Sequence, residues 1–132
     1  MQDRPTGAEL LETVGTFLEA ELMPALDGPL AYRTRVAANL VRILEREAHL
    51  GHTALVRERE LLTGCLGVSV VDTGTRPLAD EVRDLNARLV DEIASGRVGH
   101  AQVWDALMEI ARAKLAIIRP GYDAWDAVSE LP

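Results

Sequence analysis

The sequence predicts an all-α protein, folded as an antiparallel helical bundle of four long helices and one short helix. Hydrophobic residues make up 48% of the chain but aromatic residues only 4%, so alanine and aliphatic side chains must form most of the core. Apolar residues recur every three or four positions along most of the chain, which is the spacing of one helix face. The links are mostly brief and contain glycine or proline, as in bundles whose neighbouring helices run antiparallel.

The first helix is expected to begin at a capping box. Thr6 and Glu9 have the T-x-x-E spacing in which a hydroxyl and a carboxylate bind the free amides of the first turn. Apolar residues then follow at helical spacing, at Leu10, Val14, Phe17, Leu18 and Ala25. Pro24 lacks an amide donor and should kink or end this helix, before a tight connector at Asp27-Gly28-Pro29.

The second helix is predicted over residues 30–50, with its end at Gly51, and the short third helix from Thr53 to residues 64–67. Residues 68–77 are β-branched, then glycine-rich, and read as a long connector. The fourth helix follows Pro77 and ends at Ser95-Gly96-Arg97, and its predicted apolar face is formed by Leu78, Val82, Leu85, Leu89 and Ile93. The fifth runs over residues 99–118, and its predicted apolar face carries Val103, Trp104, Leu107, Ile110, Ala111 and Leu115. Residues 122–132 form a tail. The 132 residues are the usual size of one domain, so one helical bundle domain is expected over residues 1–132.

Charge and composition exclude several classes of function. With 14 basic and 21 acidic residues the net charge is −7, which disfavours nucleic acid and anionic membrane surfaces as partners. No apolar run is long enough to cross a membrane, and the N-terminus lacks a signal peptide. A cytoplasmic protein is therefore expected.

No catalytic residue, metal site or cofactor is predicted. A di-metal carboxylate bundle requires Glu-x-x-His pairs, and the sequence has none. Cys65 is the single cysteine, so it forms no intramolecular disulfide, and in its apolar surroundings it is expected to behave as a small hydrophobe.

Polar side chains nevertheless lie on or beside predicted apolar faces. The stripe of the second helix centres on Val36, Leu40 and Ile43. Five candidates for a ligand or partner pocket from three helices lie on or near such stripes: Arg35, Asn39, Glu47, Lys114 and Glu21. They are interpreted first as a buried network that fixes helix register, in which Glu47 or Glu21 pairs with Lys114 or Arg35. The alternatives are the floor of a ligand or partner pocket, and exposed positions at helix ends.

The tail carries apolar residues at every third position, which are the interface candidates: Tyr122, Trp125, Val128 and Leu131. Large aromatic side chains are favoured at protein interfaces, so this strip is expected either to bind a partner or to cover the bundle itself.

Several segments resemble a bacterial family known only as a domain of unknown function. They are RPTGAELLETVGTFLEAELMPAL, LAYRTRVAANLVRILERE, LNARLVDEIASG and KLAIIRPGY. Members of the family are small helical proteins, typically encoded beside an aminoglycoside-phosphotransferase-like kinase and an acyl-CoA dehydrogenase. Similar proteins are the small companion of kinases that phosphorylate hydroxyacyl-CoA thioesters, including in levulinate breakdown. The long connector and the tail depart from the family pattern.

The resemblance implies a non-catalytic accessory subunit that supports such a kinase. It implies a protein partner, and a homo-oligomer is also possible. The alternative is a stand-alone helical bundle that binds an acyl-CoA or a related anion. A third hypothesis is a small enzyme that uses Glu47, Lys114 and Arg35 for acid–base chemistry. An exposed apolar patch without a cavity would favour the accessory subunit, and a deep pocket lined by Arg35 and Lys114 would favour the binding protein.

Overall fold

The computed structural model describes residues 4–69, 74 and 76–122, and among these residues it is all-helical, without a strand. It contains four α-helices, which are α1 Gly7–Phe17, α2 Gly28–Leu66, α3 Leu78–Ala94 and α4 His100–Ile118. Much of the predicted connector and all of the tail after Tyr122 lie outside the described residues.

Helix α1 begins at the predicted capping box but ends at Phe17, before the predicted end at Pro24. The Thr6 hydroxyl accepts the Glu9 amide at 3.2 Å, and the Glu9 carboxylate accepts the Thr6 amide at 2.7 Å, which completes the capping box. Beyond Phe17 the chain passes through one π-helical turn, Leu18–Leu22, and one 3₁₀ turn, Met23–Ala25, which contains Pro24. The following residue, Leu26, is extended, so the helical path stops beside the proline.

Helix α2 is continuous over 39 residues, and the prediction of two helices separated at Gly51 is wrong. Gly51 and His52 are both helical. The Glu47 side chain folds along its own helix over Gly51, with Oε1 2.6 Å from where a Cβ would stand on that glycine. A glycine inside a helix costs about 1 kcal/mol relative to alanine but does not end it when the flanking residues propagate the helix.

Helices α3 and α4 match their predicted bounds. Helix α3 ends at Ser95 and Gly96, where the Gly96 φ of +70° and the bond from the Arg97 amide to the Glu92 carbonyl form a glycine C-cap. Its predicted apolar face is confirmed, since Val82, Leu85 and Leu89 are buried.

The chain divides into two compact units. The first contains Met1–Gly51 with Ile117–Arg119, and the second contains His52–Ala116 with Pro120–Pro132. Helix α2 supplies residues to both. A single domain and an antiparallel order of the helices stay predictions.

The second unit has a core of large aliphatic side chains. Eight buried residues from α2, α3 and α4 pack together: Leu62, Cys65, Val82, Leu85, Leu89, Val103, Ala106 and Ile110. Three residues of the predicted α4 face, Trp104, Leu107 and Ala111, are exposed instead. Burial of these aliphatic groups is the main source of stability for this unit.

The described part of the first unit buries small residues instead. Its buried positions are Ala8, Gly15, Thr34, Ala38, Gly51 and Ile117. Of these only Ile117 is a large apolar side chain. Small residues allow helix backbones to approach closely, but they remove little apolar area from water. The large apolar side chains of this unit are therefore left mostly at its surface.

Candidate functional site

Arg42 joins α2 to α1 and to the π-helical turn that follows α1, all within the first unit. Its guanidinium donates to Glu19 at 2.6 Å and to Glu45 at 2.7 Å, with a longer bond of 3.4 Å to the Thr16 hydroxyl. It lies over Gly15, where an added Cβ would come within 2.9 Å of the guanidinium carbon. The absence of a side chain at Gly15 therefore makes room for the arginine on the face of α1.

The two carboxylates hold the Arg42 guanidinium in its charged form. Hydrogen bonding to Glu19, and secondly to Glu45, raises the pKa of Arg42. The same bond lowers the pKa of Glu19 below its ordinary value of 4.5. A lowered carboxyl pKa contributes stability above pH 4.5 that is lost as the pH falls toward the lowered pKa. At neutral pH Arg42 is therefore held in ion pairs with Glu19 and Glu45. None of the five predicted pocket residues takes part in this cluster.

Glu58 is the buried carboxylate of the second unit. It is 4% exposed, and one oxygen accepts Lys114 at 2.8 Å and the side-chain amide of Asn86 at 2.9 Å. Asn86 also donates to the Val82 carbonyl at 3.0 Å, so α2, α3 and α4 are joined through one carboxylate. Of the residues in the network that the sequence predicts, only Lys114 takes part in this arrangement, and its anion is Glu58.

Lys114 therefore does not pair with Glu47 or Glu21 as the sequence analysis expected. Its side chain is 55% exposed, so solvent also reaches the ammonium group. It lines a cavity of about 40 Å³ between α2 and α4, together with Glu58 and Arg57. Ligand pockets for drug-sized molecules measure roughly 300–1,000 Å³, so this cavity is far too small for an acyl-CoA.

The other four predicted pocket residues are exposed in the first unit. Arg35, Asn39 and Glu47 lie on α2, and Glu21 lies after α1. Neither Arg35 nor Asn39 has a side-chain partner among the described residues. The expectation that Glu47 is a buried charge is wrong. Whether the five residues bind a ligand or partner stays a prediction.

Glu47 is exposed because α2, in the first unit, presents its most apolar stripe to solvent. Val36 and Leu40, predicted as the centre of the core face, are 42% and 55% exposed. The buried residues Thr34 and Ala38 lie about 160° away around the helix. Ile43 is half-buried. In this part of α2 the packed face is the one with small side chains, not the most hydrophobic one.

Helix α1 also has an exposed apolar face. Leu10, Val14 and Phe17 are 51%, 48% and 48% exposed, and they recur at helical spacing. An open groove of about 630 Å³ runs along this side and is lined by Glu12, Thr13, Val14, Thr16, Phe17 and Glu21. Glu21, one of the predicted pocket residues, therefore borders an open apolar groove with acidic residues at its edge.

Cys65 is buried in the core of the second unit, and burial raises the pKa of its thiol. It therefore stays protonated at neutral pH, as expected for a packing residue. No group of three or more metal-ligating side chains occurs within residues 4–69, 74 and 76–122.

Of the interface candidates in the tail, Tyr122 is exposed. Trp125, Val128 and Leu131 lie outside the described residues. The predicted strip stays a prediction.

Sequence reasoning missed Glu58, Asn86 and Arg42. A signal for Glu58 was present, because Leu55, Leu62 and Cys65 share its helix face. The signal is weak, because Glu58 stands in a run of alternating arginine and glutamate, residues 57–60, which is typical of a solvated helix face. For Arg42 the local signal was Glu45, three positions further along α2; its partners Thr16 and Glu19 are more than 20 positions away, and no local pattern indicates them.

The chain belongs to the family described as a domain of unknown function, DUF6285, whose model matches residues 24–122. Neither a curated protein nor a solved structure matches the chain. In the part of the chain that the structure describes, no helix combines the length and apolar character needed to cross a membrane.

Proposed function

We propose that this chain is a non-catalytic accessory subunit that supports a phosphotransferase-type hydroxyacyl-CoA kinase. In this proposal it works in the cytoplasm, and its helices form an antiparallel bundle. The observation that carries the proposal is the exposed apolar face of α1, formed by Leu10, Val14 and Phe17. Contiguous exposed apolar side chains on a small protein mark an interaction surface more often than a defect of folding.

The groove beside this face adds charge to the surface. Glu12 and Glu21 line it together with Val14 and Phe17. A complementary partner would bring an apolar side chain for the groove and basic residues for its acidic edge. A surface of this kind supports docking of a folded protein, because the groove is open to solvent, whereas ligand pockets bury most of the surface of a small molecule.

The choice of a kinase as the partner rests on the sequence. The segments that resemble companions of hydroxyacyl-CoA kinases include RVAAN, Arg35 to Asn39, which lies on α2 within the matched region of the family. Phosphoryl transfer requires a phosphate cradle, a metal site and a positioned base. In the proposal the kinase contributes this machinery, and the small subunit contributes a surface that holds the kinase in its active conformation.

The alternative, a stand-alone protein that binds an acyl-CoA, has less support. It requires a deep pocket lined by Arg35 and Lys114. Lys114 lines a cavity of about 40 Å³, and Arg35 is not among the residues around it.

The test is reconstitution with an aminoglycoside-phosphotransferase-like kinase from the same organism. The small protein should form a complex with the kinase in size-exclusion chromatography and raise its consumption of ATP with a hydroxyacyl-CoA. Phe17→Asp should weaken the complex by about 30-fold or more, since it replaces the aromatic residue of the apolar face with a charge. Val90→Asp is the matched control, because Val90 is 64% exposed on α3 in the second unit and should leave binding unchanged.

Two outcomes would contradict the proposal. One is consumption of ATP by the purified small protein alone with a hydroxyacyl-CoA. The other is a kinase whose activity, stability and elution are the same with and without the small protein.

A further inference from the structure

The exposed stripe of α2 is symmetric in sequence about Leu40. Seven residues on the outer side of the helix form it: Leu30, Arg33, Val36, Leu40, Leu44, Glu47 and Leu50. Every one of them is exposed. On either side of Leu40, residues of matching type stand at the same distance along the helix, so that Val36 mirrors Leu44 and Leu30 mirrors Leu50.

The two charged residues of the stripe are also placed symmetrically about Leu40, and their charges are opposite. Arg33 and Glu47 each stand seven positions from Leu40, on the same side of the helix. Neither forms an ion pair with another described residue. A basic residue and an acidic residue thus stand unpaired at equal distances from the centre of one apolar stripe.

A two-fold axis at Leu40 would satisfy both features. Two antiparallel copies of α2 related by this axis bring Leu40 against its own copy and Val36 against Leu44 of the other chain. The same register sets Arg33 of each chain opposite Glu47 of the other, which gives two ion pairs per dimer. Parallel copies in register would instead set Glu47 against Glu47 and Arg33 against Arg33, which is repulsive.

We propose that residues 30–50 of α2 are a self-association surface, on which a second copy of this chain binds antiparallel about Leu40. Apolar side chains supply most of the affinity, and the two Arg33–Glu47 pairs fix direction and register. A partner helix of another protein would need an apolar stripe with a basic and an acidic residue at the same spacing. The chain itself already has that pattern, and so the charges favour a second copy.

The first test is sedimentation of the full chain alone over a range of concentrations. The wild-type protein should show a reversible monomer–dimer equilibrium. Leu40→Asp should abolish the dimer, because it sets two carboxylates against each other on the axis. Leu40 is exposed, so the variant should keep the melting temperature of the monomer.

Charge reversal tests the register. Arg33→Glu alone and Glu47→Arg alone should each weaken the homodimer by about tenfold or more, because each turns two attractive pairs into two repulsive ones. An equal mixture of these two single variants should regain dimer as a heterodimer, and the double variant should regain the homodimer. Arg35→Glu is the matched control, since it makes the same change of charge off the stripe and should leave the equilibrium unchanged.

A wild-type chain that stays monomeric at all concentrations would overturn the proposal. A dimer that responds equally to Arg35→Glu and Arg33→Glu would overturn it too, and so would single variants that fail to recover on mixing. If the chain is monomeric but Arg33→Glu removes binding to the kinase, the stripe belongs to that partner and not to a second copy. Failure here leaves the proposed function standing, because that function is tested through Phe17 on α1.

Discussion

Glu58 illustrates how one carboxylate can join three helices of the second unit. Its oxygen accepts the Lys114 ammonium and the Asn86 amide, while the residue as a whole is 4% exposed. A buried anion is tolerated only when it is paired and hydrogen-bonded. The exposed side of Lys114 keeps the cation hydrated, so this pair is screened on one side by solvent.

Removal of the cation should therefore destabilise the protein even though Lys114 itself is half exposed. Lys114→Met keeps the aliphatic stem but leaves the Glu58 carboxylate with Asn86 alone, and it should cost about 1–3 kcal/mol in the free energy of unfolding. Adding Glu58→Gln should recover part of the loss, because no uncompensated charge remains. Urea denaturation measures both.

The control for this prediction is the neighbouring exposed pair. Arg57 donates to Glu109 at 2.7 Å with both side chains about half exposed, so Arg57→Gln should leave the urea transition almost unchanged. Equal losses from Lys114→Met and Arg57→Gln would contradict the assignment of Glu58 as a buried anion.

At the scale of the element, α2 continues through Gly51, where the sequence analysis predicted a break between two helices. Gly51→Ala should raise the free energy of unfolding by about 0.5–1 kcal/mol, because alanine favours the helix. The added methyl group meets only the mobile end of the Glu47 side chain, which is exposed and can turn away. Gly51→Pro should lower it by about 3 kcal/mol or more, since proline clashes with the carbonyl of residue 47.

Circular dichroism and urea denaturation of the two variants form the measurement. If residues 51 and 52 were a link between two helices, proline would be tolerated and alanine would bring no gain. That pattern would contradict a continuous α2.

At the scale of the whole molecule, the two units bury different kinds of residue. The second unit buries eight residues around Leu62, mostly large and aliphatic, whereas the described part of the first buries mainly glycine, alanine and threonine. Since stabilisation rises with the apolar area removed from water, the first unit should open more readily.

Hydrogen exchange of the full chain tests this difference. Amides in the middle of α3 should exchange at least about tenfold more slowly than amides in the middle of α1, which corresponds to about 1.4 kcal/mol in the free energy of opening. The comparison uses α1 because its exposed face carries no residue of the proposed α2 dimer. Equal protection of the two helices, or greater protection of α1, would show that small buried residues stabilise the first unit as well as the aliphatic core stabilises the second.

The sequence by itself determined the helical class, the capping box at Thr6, the end of the first helical path at Pro24 and the buried face of α3. Each of these depends on residues within a few positions of one another, whose hydrogen bonds and periodicity are local. The tertiary structure alone decided which face of α2 is packed and which anion Lys114 binds. Val36 and Leu40 form the most apolar stripe, yet the buried positions on this part of α2 are Thr34 and Ala38, and Arg42 of α2 contacts Thr16 in the space that Gly15 leaves on α1. Such contacts join residues far apart in the chain, and hydrophobic periodicity within one helix carries no information about them.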